Sequence, residues 1–142
     1  MYNNLYGARY DANLSLKDIA KMVKKEASKK YPDCKISATT KNFHSIWIKI
    51  MLDEEKYRAK TVDEVPKGPE YWNIERQIGN DGIIKKEELE EYIKNNVVKS
   101  TRALDIERDV KDMLGSYNYD KSDVYTDYFD CNFYGSVNVI FQ

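Results

Sequence analysis

The chain has 142 residues, 23 basic against 24 acidic, and a formal charge of -1; one third of it is charged and 42% is apolar. That length suits one domain, residues 1–142, with a real hydrophobic core. The balanced charge excludes a general pull toward nucleic-acid backbones or anionic membranes, so neither is expected as a partner.

Ser15-Leu-Lys-Asp18 predicts a helix start with a capping box, and Leu16, Ile19, Ala20, Val23 and Ala27 follow at helical spacing. Pro32 stops that helix after Tyr31. Residues 35–41 and 45–52 predict a hairpin, because Ile46, Ile48, Ile50 and Leu52 alternate with Trp47, Lys49 and Met51, and Asn42-Phe43-His44 supplies the turn. The run 53–63 is charged, Val65-Pro-Lys-Gly-Pro69 is turn chemistry, and Trp72, after two prolines, reads as a loop aromatic. A long or broken helix is expected over 84–114, weakened at Asn95-Asn96 and re-capped by Ser100 or Thr101. Gly115 ends it, and a last strand is expected over 132–141. The fold class that follows is α+β: a small antiparallel sheet of hairpin and terminal strand, with helices on one face.

No apolar run approaches the ~18 residues of a membrane span, and residues 1–10 lack a basic start and apolar stretch. Cys34 and Cys131 are isolated, so free thiols in a reducing cytoplasm are expected. His44 is the only histidine, and two lone cysteines make no zinc tetrad. Asn80-Asp-Gly-Ile-Ile-Lys-Lys-Glu-Glu88 imitates the second half of a calcium loop, but its first and third ligand positions would be Gln77 and Gly79. The six glycines are scattered and form no phosphate loop. No metal or cofactor is expected, and an enzyme would have to work with carboxylates and tyrosines alone.

The C-terminal tail, residues 116–142, holds eight of the chain's eighteen aromatics, interleaved with Asp120, Asp123, Asp127 and Asp130. Flat rings beside fixed acceptors suit a nucleotide; they equally suit a core whose tyrosines need hydroxyl partners. The four acids, spaced three, four and three apart, would share one helix face and could hold magnesium, or serve as Asx-turns and caps. Arg102 and Arg108 project about 120° apart around a helix, so they do not share a face, but either guanidinium suits a phosphate. Arg108 lies among Asp105, Glu107 and Asp109, where ion pairing is favoured. Trp72 suits stacking on a base.

Ala12 to Ser37, with its Asp-Ile-Ala-Lys start, Tyr-Pro stop and Lys-Ile-Ser strand, resembles the large-polyvalent-protein-associated domains of phage and conjugative elements. The string Tyr117-Asn-Tyr-Asp120, Ser122-Asp123, Asp127-Tyr-Phe-Asp130 and Asn132-Phe-Tyr134 looks like the C-terminal signature of the same group. A chain of this length with these blocks is also similar to the phage Thoeris anti-defence proteins of the first type. That resemblance implies a non-catalytic cytoplasmic sponge that sequesters a cyclic ADP-ribose isomer, such as 1''-3' gcADPR, at a homodimer or higher homo-oligomer interface. On chemistry, Tyr117, Tyr119, Asp120, Asp123 and Arg102 are the first candidates for ligand contact, with Trp72 and Arg76 behind them. A protein-binding inhibitor of host defence, of anti-CRISPR or anti-restriction type, is the alternative.

Overall fold

A computed structural model describes residues 7–42, 44–78, 85–118 and 133–142, and all structural statements refer to these. The element order is α1 (Leu16–Lys30), β1 (Lys35–Lys41), β2 (Ser45–Leu52), α2 (Glu54–Tyr57), a 3-10 turn (Val62–Glu64), α3 (Pro69–Ile78), α4 (Lys86–Asn95), α5 (Thr101–Gly115) and β3 (Tyr134–Phe141). The fold is α+β, as the sequence predicts. The chain divides into two compact units, residues 1–51 with 107–140, and residues 52–106 with 141–142.

In the first unit, Ser15 caps α1 as expected: its hydroxyl accepts from the Asp18 amide at 3.1 Å, and the Asp18 carboxylate accepts from the Ser15 amide at 3.3 Å. Ile19, Ala20, Val23 and Ala27 are buried along one stripe, and α1 packs on β1. β1 and β2 form the predicted antiparallel hairpin, in register Ile36↔Ile50, Ala38↔Ile48 and Thr39↔Trp47. Asn42 takes φ 54 at the turn, a left-handed conformation that asparagine tolerates better than most residues.

The sheet order is β1-β2-β3. It is mixed, which corrects the expected antiparallel sheet. The Tyr134 amide donates to the His44 carbonyl at 2.7 Å and the Gln142 amide to the Leu52 carbonyl at 3.0 Å, so β3 advances in the same direction as β2. In a parallel ladder this places Tyr134 beside Ser45, Ser136 beside Trp47, Asn138 beside Lys49 and Ile140 beside Met51. Alternation then gives the sheet two unlike faces. One carries the buried Ile36, Ile46, Ile48, Ile50 and Val137; the other carries Trp47 and Tyr134, both exposed.

The second unit has its own core of Ala59, Val65, Ile74, Leu89, Ile93 and Val98, with Val62, Tyr71, Ile78 and Tyr92 packed against it. The charged stretch after β2 forms α2 and leads into the 3-10 turn. Asp53 caps α2 by accepting from the Glu55 amide at 3.0 Å. The expected long helix is broken into α4 and α5 at the anticipated place. Ser100, fully buried, accepts from the Ala103 amide at 3.2 Å and donates to the Tyr57 carbonyl at 2.6 Å. One hydroxyl thus caps α5 and ties it to the end of α2.

Candidate functional site

Pro69 is the first residue of α3, where a proline costs no hydrogen bond and its fixed φ suits a helix. Trp72 is therefore a helical residue, in contrast to the expected loop, and its amide donates to the Gly68 carbonyl at 3.0 Å. Ile74 points into the core of the second unit, with Tyr71 and Ile78 partly buried beside it. The outward side carries Trp72, 57% exposed, and Arg76, also exposed, one turn later. Residues four apart on a helix are neighbours on its surface. A flat ring and a guanidinium thus stand side by side on α3, within reach of one base and one phosphate.

The other candidates fall elsewhere. Arg102 is committed within the fold: Nη2 donates to the Lys56 carbonyl at 2.9 Å and Nη1 lies 3.1 Å from Glu64 Oε2. That carboxylate oxygen is buried and makes no aligned hydrogen bond, so charge rather than hydrogen-bond geometry holds the pair. Tyr117 belongs to the core of the first unit at 4% exposure, with the Arg9 guanidinium 4.6 Å above its ring. Arg9 itself is fixed by Glu26 at 2.7 Å and by Ser116 Oγ at 3.0 Å. The Gly7 and Arg9 amides donate to Asn118 and Ser116 carbonyls, both at 2.7 Å, and a side chain at Gly7 would strike the Ser116 carbonyl. Tyr117 thus sits beneath a close backbone contact. Tyr119, Asp120 and Asp123 lie outside the described residues, as do Asp127, Asp130 and most of the calcium-loop-like segment. Among the described residues no cluster of His, Cys, Asp or Glu could hold a metal ion, and no helix is long and apolar enough to cross a membrane.

The second unit also carries an open cleft of about 1020 Å³, whose lining includes Lys60, Lys86 and Lys94 alongside Glu55, Glu87 and Glu91. Its walls come from residues 55–63 and 86–94, so no local sequence signal announces it. Cations for phosphate and carboxylates for hydroxyls both face it, and the volume reaches the top of the range for small-molecule sites.

Among the described residues of the first unit, the carboxyl of Asp109 is perturbed by its neighbours. The Lys30 ammonium, 2.6 Å away, and the donating Tyr31 hydroxyl hold its carboxyl below the ordinary aspartate value. A depressed folded-state value stabilises the protein above the unfolded value of about 3.9, and the contribution disappears as pH falls through the folded one. Asp109→Asn is therefore expected to lower the melting temperature at pH 7. The gap to the parent should begin to narrow below about pH 4 and close as pH falls through the folded-state value. Circular-dichroism melts at pH 7, 5 and 3 check this, and a gap that stays constant refutes it.

No known protein family, curated protein or solved structure matches this chain.

Proposed function

We propose that the protein is a non-catalytic binder that sequesters a nucleotide-derived immune signal of the cyclic ADP-ribose class in the cytoplasm of an infected bacterial cell. The proposal extends the resemblance of a chain of this length, with its two sequence blocks, to the phage Thoeris anti-defence proteins. The observation that carries it is the exposed Trp72–Arg76 pair on α3. An adenine stacked on the indole contributes about 1–3 kcal/mol, and a guanidinium one turn away takes two oxygens of the pyrophosphate. The mixed lysines and carboxylates of the neighbouring sequence segments offer partners for further phosphate and ribose oxygens. A sponge must outcompete a receptor, which calls for a dissociation constant near the nanomolar range, roughly -12 kcal/mol. One face of one helix is too open for that, so a second copy of the chain closes over the ligand in this reading.

The test is capture and release. Purified protein is incubated with cyclic ADP-ribose isomers, freed of unbound material and heat-denatured, and the supernatant is identified by mass spectrometry. Intact ligand is expected, with a change in sedimentation on loading. Trp72→Ala and Arg76→Ala should each cut capture at least tenfold without changing the melting temperature of the unliganded protein. A cleaved product makes the protein an enzyme. No release from a broad nucleotide panel removes the reading and favours a protein partner.

A further inference from the structure

The face of the sheet opposite the isoleucines has twelve positions: Lys35, Ser37, Thr39 and Lys41 on β1, Ser45, Trp47, Lys49 and Met51 on β2, and Tyr134, Ser136, Asn138 and Ile140 on β3. No acid stands among them. Three are lysines, all exposed; Trp47 is 40% and Tyr134 57% exposed. The Lys41 ammonium lies 3.8 Å from the centre of the Trp47 ring. The two residues stand on adjacent strands in diagonal positions, their Cα atoms about 8 Å apart by sheet geometry.

Charge is segregated on the scale of the whole segment. Residues 16–51 carry nine lysines against three acids, although the complete chain is at -1. Lys17, Lys21 and Lys24 of α1 line a shallow groove with Ala38 and Thr40 of β1, on the other side of the same edge strand. A polyanion lying across the open face and leaving over the β1 edge thus meets cations along its path. Net charge hides this, because the acids lie elsewhere in the sequence.

From this juxtaposition we infer that the open face of the β1-β2-β3 sheet binds single-stranded RNA. Trp47 and Tyr134 each offer a π-face to an unpaired base, and base–aromatic stacking is tolerant of sequence. A base on Trp47 takes the place of the Lys41 ammonium and leaves it at the rim to pair with a phosphate. Lys35 and Lys49 flank the path and neutralise further phosphates. Ser45, Thr39, Ser136, Ser37 and Asn138 put a hydroxyl or amide on the Lys41, Trp47 and Lys49 rows. Those groups are partners for the sugar 2′-hydroxyl, the group that distinguishes RNA from DNA. A duplex keeps its bases stacked internally and gains nothing from the two rings. The inference is independent of the nucleotide-capture reading, since neither Trp72 nor Arg76 is on this face.

The test is fluorescence anisotropy of the full chain with labelled dodecauridylate, dodecathymidylate and a twelve-base-pair RNA duplex, at 50 and 200 mM salt. The expected result is tightest binding to dodecauridylate, weakening with salt. Trp47→Ala should weaken it roughly tenfold with the melting temperature nearly unchanged. Lys49→Gln should weaken all three probes alike and reduce the salt slope by about one unit. The inference is overturned by no binding to dodecauridylate at 50 mM salt, by equal or tighter binding of the DNA or the duplex, or by a Trp47→Ala protein that binds as before. It is also overturned if the face joins two copies, seen as a dimer in sedimentation that Trp47→Ala dissolves.

Discussion

Replacing Arg58 by Met is expected to destabilise the second unit by about 2–3 kcal/mol. The last carbonyls of a helix have no intrahelical donor. At the end of α4 the Arg58 guanidinium supplies one: Nη2 donates to the Ile93 carbonyl at 3.0 Å and reaches the Asn96 carbonyl at 3.4 Å. Nη1 is meanwhile held by Glu54 at 3.0 Å, with the arginine side chain only 20% exposed. A cation at a helix C-terminus also meets the negative end of its dipole. The same residue forms a backbone bridge with Lys99, flanked by Ala59–Val98 and Tyr57–Ser100 hydrogen bonds of 2.7 and 3.1 Å. Methionine keeps the stem and loses the fork, so the part-buried Ile93 carbonyl stays unmatched. Arg58→Lys retains the charge without the planar fork and should fall between the two. Urea unfolding reads the effect as a lower midpoint, and an unchanged midpoint refutes it.

Local chemistry was legible where one residue's hydrogen-bonding options decide the outcome. Ser15 and Asp18 announce the start of α1, and Ser100 marks the break between α4 and α5, because short polar side chains satisfy helix-end amides. The period-two run from Ile46 to Leu52 announces β2 and its buried face. The direction of β3 was not legible in that way, since alternation identifies a strand without naming its neighbour. The lengthy connection from β2 to β3, filled with helices, carries the missing information, because parallel strands require a crossover. Trp72 was misplaced because Pro66, Gly68 and Pro69 read as turn chemistry, whereas the second proline opens α3. Tyr117 shows the limit of composition: aromatic richness marks the tail, but burial under Arg9 is settled by residues about a hundred positions earlier. The cationic sheet face was hidden for a related reason. It needs the register of three strands, and the chain-wide charge averages it away.

Trp47 and Ile48 are neighbours in sequence on opposite faces of β2, and their truncations should part company. Ile48 is fully buried between Ile46 and Ile50, also at 0% exposure, and lies opposite Ala38. Its partners cannot close over the missing carbons without shifting β2, which is tied to a strand on each side. Ile48→Ala is therefore expected to cost about 3 kcal/mol, the transfer of the lost carbons plus the cavity left behind. Trp47 is 40% exposed, with the Lys41 ammonium over its ring, so Trp47→Ala should cost at most about 1 kcal/mol. Chemical denaturation of the two variants beside the parent checks both numbers. Equal losses would mean that the tryptophan is part of the core and that the face is closed. A loss confined to Ile48, with RNA binding weakened only in Trp47→Ala, would divide the strand residue by residue: even positions hold the sheet to its helix, and odd positions are left to meet a ligand.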